Sequence, residues 1–149
     1  MLEQYRHGIE SRAIDMFWKS RSARKLKPQP ESIAKGAFAL LAHGFLQGHG
    51  HFLREFASGV GFVDVGIILS SLLHIVEFKI LSTGAFTGPS QLEQYLRNEG
   101  RKEGWLVVID ARPAHLKTRL PTSVPLANGR IAHVVVVDIN PTAPSKVKA

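Results

Sequence analysis

Residues 61–110 read GFVDVGIILSSLLHIVEFKILSTGAFTGPSQLEQYLRNEGRKEGWLVVID, and their patterning decides the architecture. Two apolar, β-branched runs, 62–69 and 72–81, are separated only by Ser70 and Ser71, the spacing of a short antiparallel hairpin. Thr87, Gly88, Pro89 and Ser90 then supply a turn and an N-cap that launch a helix over 91–98, closed by Gly100. Residues 105–110 are almost wholly apolar, as in a strand buried on both faces.

Upstream, residues 51–57 form one more strand, with a turn at Ser58, Gly59 and Gly61. Before it a helix starts just after Pro30, with Glu31 and Ser32 in its first turn. It runs through Ile33, Phe38, Leu40, Leu41 and Phe45 and stops at Gly48 and Gly50. Tyr5, Ile9, Ala13 and Phe17 recur every four residues and predict an amphipathic helix over 2–26, ended by Pro28 and Pro30. Downstream, residues 112–128 contain prolines and no period, and 130–139 form a last apolar strand, paired through a turn at Asn128 and Gly129. Three segments result: a basic amphipathic helix at 1–27, a main domain at 28–140, and a basic, mobile tail at 141–149.

The composition bounds the function. At 149 residues, 44% hydrophobic and 21% charged, the chain is of globular type and the size of one domain. No apolar run approaches the roughly 20 residues needed to span a bilayer, and the first residues lack a signal-peptide core, so a cytoplasmic protein without a membrane partner is expected. The absence of cysteine excludes disulfides and thiolate metal sites. A net charge of +7 and a pI near 10.1 favour a polyanionic partner, most simply nucleic acid. The cluster Lys19, Arg21, Arg24, Lys25 and Lys27 is the candidate surface for a phosphate backbone; a solvated helix tail would have the same composition. No phosphate-binding glycine loop of the nucleotide-triphosphatase type is present.

A hairpin centred on Ser70 and Ser71 sets Asp64 opposite Glu77, with Lys79 two residues further on. Val63, Val65, Val76 and Phe78 are then expected on the other, apolar face. Opposed Cβ atoms on one sheet face lie about 4.5–5.5 Å apart, close enough for two carboxylates to share a divalent cation. Without that cation their repulsion favours protonation of one. Mg²⁺ or Mn²⁺ is the expected ion, with the Phe78 carbonyl as a further ligand and the Lys79 ammonium beside it to steady attacking water or developing phosphate charge. The same trio also suits an ion-paired patch on the wet side of a hairpin. His43, His49 and His51 fit no zinc spacing, His74 has the parity of Val76 and Phe78, and Trp105 reads as core.

The quoted stretch resembles the PD-(D/E)xK nuclease superfamily: Gly61-Phe-Val-Asp64-Val, then Ile75-Val-Glu77-Phe-Lys79, then Gln91-Leu-Glu-Gln-Tyr95 on the next helix, as in its RecB-type branch. The resemblance implies an α/β fold with a restriction-endonuclease-like core. This is a central mixed β-sheet flanked by helices in the order α-β-β-β-α-β, here with an extra N-terminal helix and a C-terminal strand. It implies Asp64 and Glu77 as metal ligands, Lys79 as the catalytic lysine, and Gln91 and Tyr95 as residues that organise the site and contact the DNA backbone. Glu31 and Glu55 are the candidate auxiliary carboxylates. Val63 stands where the family motif has its proline. The expected activity is Mg²⁺- or Mn²⁺-dependent hydrolysis of DNA by a metal-activated water, by a chain that could act as a homodimer or within a larger complex. The alternative is a non-catalytic nucleic-acid-binding or assembly module of an ATPase, restriction or phage-defence system.

Overall fold

The computed structural model describes residues 1–83 and 86–141. Alternating and continuous apolar runs give three long antiparallel strands in succession: β3 (Gly50–Ser58), β4 (Gly61–Leu69) and β5 (Leu72–Leu81). Ser70 and Ser71 both take positive φ, 49° and 65°. That is the backbone of a two-residue hairpin turn whose twist matches its strands, and it fixes Leu69 opposite Leu72. Two short strands, β1 (Trp18–Ser20) and β2 (Lys25–Leu26), pair separately near the N-terminus.

After β5 the chain crosses over through helix α3 (Pro89–Asn98) to β6 (Glu103–Asp110), which lies parallel to β5. A second crossover leads to β8 (Ile131–Asp138), parallel to β6, and the short β7 (Ser123–Pro125) pairs antiparallel at the edge. The result is a six-stranded mixed sheet in the order β3-β4-β5-β6-β8-β7. The expected turn at Asn128 and Gly129 joins β7 to β8, with both residues at positive φ. The molecule is a mixed α/β structure in which helix, three antiparallel strands, helix and strand follow in the expected order.

Helices cover both faces. On one, helix α2 (Pro30–Leu46) buries Ala34, Phe38, Ala42 and Leu46 against Val65, Ile67, Val76, Phe78, Val107 and Ile109. On the other, α3 buries Leu92, Tyr95 and Leu96 against Val63, Ile75, Leu81, Leu106 and Val108. A buried Asp110–Arg112 pair, at 3.0 Å, ties the end of β6 to Thr118 in the following loop.

Three expectations change. The helix predicted over 2–26 runs as α1 (Leu2–Gly8), a π-turn (Ile9–Ala13) and a 3₁₀ turn (Ile14–Phe17), and there it stops. Consecutive residues Phe17 and Trp18 are both buried, and the Trp18 indole N–H donates to the Ile139 carbonyl at 2.7 Å. The chain accordingly leaves the helix for β1, so the basic cluster sits around the β1–β2 hairpin and not on a helix tail. Residues 1–27 also share the first core through Tyr5, Ile9, Phe17 and Trp18. Helix α3 begins at Pro89 with Gly88 as its N-cap at φ 119°, without a side-chain cap. Most of the expected tail, from residue 142 onward, lies outside the described residues. No helix among the described residues is long and apolar enough to cross a membrane.

Candidate active site

The β4–β5 ladder runs from Leu69↔Leu72 to Val65↔Val76 in the expected register and then opens. At the next step carboxylates replace carbonyls. The Asp64 N–H donates to Glu77 Oε2 at 3.0 Å, and the Phe78 N–H donates to Asp64 Oδ2 at 2.9 Å. Asp64 and Glu77 therefore meet, as the hairpin register predicts.

Their surroundings differ from the expectation of one shared polar face. Val65 belongs to the α2-side core and Val63 to the α3-side core, so β4 changes its facing at Asp64. Its partner strand does the same at Glu55, held at φ 52°, an excursion that costs a non-glycine residue about 1–2 kcal/mol. Both carboxylates are thereby delivered to one group on α2: Lys35 Nζ lies 3.0 Å from Asp64 Oδ1 and 3.1 Å from Glu55 Oε1. Val63 packing with Val65 on one face is the expectation this overturns.

Glu77 and Lys79 turn toward α3. Lys79 Nζ donates to Gln91 Oε1 at 2.8 Å, Gln91 Nε2 donates to the Tyr95 hydroxyl at 3.0 Å, and that hydroxyl donates to the Phe62 carbonyl at 2.8 Å. The four-residue spacing of Gln91 and Tyr95 puts both on one flank of α3, where they form a relay that fixes Lys79 beside Glu77. Tyr95 is buried, with its hydroxyl committed inside the protein.

Glu77 is 1% exposed. Burial, reinforced by the Asp64 carboxylate, pushes its carboxyl up to about 8. Two carboxylates this close repel each other, and with burial that keeps the Glu77 proton in place. Lys35 shows the converse. Burial opposes its charge, yet the bonds to Asp64 and Glu55 raise its pKa on balance.

The donor set, the Asp64 and Glu77 carboxylates with the carbonyl of Phe78, next to Glu77 on β5, is all oxygen. It suits Mg²⁺ or Mn²⁺, which take one or two carboxylates and complete their shells with water and phosphate. Among the described residues no three His, Cys, Asp or Glu side chains converge as a metal cage, so water or substrate would supply the rest of the shell. Glu31 lines a groove with Lys35 and Ile80 at the start of α2 and is one helical turn away from Lys35. Glu55 reaches the site only through Lys35.

The five basic residues of the β1–β2 hairpin are all exposed. Arg21 pairs with Asp15 at 3.1 Å. Arg24 is committed to the Ala111 carbonyl and Asn140 and lies over Trp18. Trp105 is half-buried against the first core, between the rings of His74 and His133. The His43 ring rests near Phe52.

Lys35 is the member of the cluster that motif reasoning passes over. Its signal is a lysine on the apolar stripe of α2, three residues before Phe38 and seven before Ala42, where an amphipathic helix places core residues.

Residues 1–112 match the family model described as Domain of unknown function (DUF8371), and the chain belongs to that family. None of the curated proteins compared matches it. A solved structure of Pyrococcus furiosus SfsA in complex with Ca²⁺ is similar over 60% of this chain and 45% of its own, at 14% identity and a TM-score of 0.39. The chain thus spans less than half the length of that structure.

Proposed function

We propose that the chain is a Mg²⁺- or Mn²⁺-dependent nuclease of the PD-(D/E)xK type that hydrolyses DNA phosphodiester bonds. The observation that carries this reading is the junction where the β4–β5 ladder opens. Asp64 and Glu77 replace its backbone pairing there, and Lys79 is fixed beside them by Gln91 and Tyr95. A bound metal would supply Lewis acidity and a more acidic water. Asp64, Glu77 and the Phe78 carbonyl are the groups that would hold that metal. Lys79, tethered by Gln91, presents an ammonium to the non-bridging phosphate oxygens or the incoming water. Tyr95 keeps the relay in register through the Phe62 carbonyl.

Linear, nicked and single-stranded DNA incubated with the protein and Mn²⁺ should be cut. Asp64→Ala and Lys79→Ala should each lose about 10²-fold or more in rate. An inert wild type, or variants that cut as fast as wild type, would sink the proposal. A second reading has one observation in its favour: the Lys35 ammonium already neutralises Asp64. A non-catalytic nucleic-acid-binding module would bind DNA undiminished in chelator and in both variants.

A further inference from the structure

Lys35 is 7% exposed, and its ammonium bonds two carboxylates from two different strands. β3 adopts a left-handed residue at Glu55, and β4 changes facing at Asp64, at the same level of the sheet. The two distortions serve one contact. An ammonium lying 3.0–3.1 Å from both carboxylates occupies the place a cation would take between Glu55 and Asp64. Lys35 is one of the buried residues of α2, next to Ala34 in sequence and one turn before Phe38. Removing it would leave two carboxylates facing each other in a partly dry site, a costly arrangement.

On the other side of Asp64, no lysine among the described residues bonds Glu77 directly: Lys79 is near enough to favour its charged form but gives its hydrogen bond to Gln91, and Glu77 accepts the Asp64 N–H. The cluster thus has one flank whose positive charge is covalently built in and one flank left for an ion from solution. Two-metal phosphodiesterases place their ions about 3.5–4 Å apart on a shared carboxylate. With Asp64 as the shared carboxylate, the Lys35 ammonium would stand at one of two such positions.

We infer that Lys35 is a resident cation that takes the place of a second metal, so that the site accepts one divalent ion, on the Asp64–Glu77 flank. The inference rests on reading Asp64 and Glu77 as metal ligands. Lys35 is a positioning residue in it: it holds Asp64 Oδ1, and the metal would share Asp64 Oδ2 with the Phe78 N–H and Glu77 with the Asp64 N–H, each carboxylate oxygen having a second lone pair to give.

Mn²⁺ binding to the intact chain, followed by equilibrium dialysis and electron paramagnetic resonance, tests this without reference to activity. Wild type should bind one ion per chain with the spectrum of an isolated Mn²⁺. Lys35→Met, which keeps the length of the stem, should bind two with an exchange-coupled signal, and Lys35→Arg should remain at one. Two coupled ions in wild type would overturn the inference and leave the metal-site reading standing. A folded Lys35→Met that still binds one ion, or binding that appears only in that variant, would also overturn it. No binding by either protein would remove the metal-site reading itself, and the inference with it. Should Lys35→Met not fold, the wild-type count and spectrum decide.

Discussion

Glu77 carries the largest electrostatic strain at the candidate site, and its consequence is measurable. The folded protein keeps the carboxyl protonated up to about pH 8, whereas its ordinary value is 4.5. Between those values the folded state binds more protons than the unfolded chain, so this residue makes stability fall as pH rises through the window and has no effect below it. Glu77→Gln removes the titration. In chelator-treated buffer the melting temperature of Glu77→Gln should therefore exceed that of wild type by a margin that grows from pH 5 to pH 8. A margin that is flat, or shrinks with pH, would show that the carboxyl is not held protonated. The groups around it are Asp64, Lys79 and, through Asp64, Lys35. That Asp64 and Glu77 approach each other was legible in the hairpin register, whereas Lys79, Gln91 and Tyr95 were singled out together only through the family resemblance. The burial of Lys35 was legible in its place on the apolar stripe of α2, but its partners were not, because Glu55 and Asp64 lie on strands 20 and 29 residues away.

At the scale of elements, the five long strands β3, β4, β5, β6 and β8 and helix α3 were legible because their apolar runs are long and their turns carry Ser, Gly and Pro. The two- and three-residue strands β1, β2 and β7, too short for a period, fell in stretches read as helix and as irregular chain. The facing of β4 was not. Strict alternation puts Val63 with Val65, and only a distortion paired across two strands separates them. A similar limit applies to α3, whose start is fixed by the backbone of Gly88 and not by a side-chain cap. The β4–α3 contact is tight: a Cβ added at Gly61 would lie 2.8 Å from the Tyr95 hydroxyl, closer than non-bonded atoms approach. Gly61→Ala should push Tyr95 off the Phe62 carbonyl and loosen Lys79 through Gln91. The expected result is a drop in cleavage rate of about tenfold or more, reflecting lost positioning, with far-ultraviolet circular dichroism retained. Full activity in Gly61→Ala would show that the relay does not position Lys79.

Across the whole molecule the net charge of +7 is not spread evenly over useful positions. Arg24 is occupied by Ala111 and Asn140, and Arg21 is paired with Asp15. Lys19, Lys25 and Lys27 remain as the exposed charges of the hairpin that could follow a phosphate backbone. Replacing these three by Ala should weaken DNA binding and reduce the slope of log affinity against log salt by up to about 0.9 for each phosphate no longer neutralised. An unchanged slope would place the nucleic-acid surface elsewhere. Composition pointed to the charge but not to its disposition, because the helical period of Tyr5, Ile9 and Phe17 says nothing of the Trp18 bond to Ile139, 121 residues away. Long-range closure of that kind is invisible to local patterning, and it is what turns the predicted helix into a hairpin.

The mouth of the β4–β5 hairpin has one more property. Its two amide protons, on Asp64 and Phe78, are held by side-chain oxygens and not by carbonyls. Their resonance positions therefore follow the ionisation and occupancy of those carboxylates, while their neighbours along the ladder stay still. Two signals in an amide spectrum thus serve as an intrinsic reporter of the charge on Asp64 and Glu77, read without any substrate.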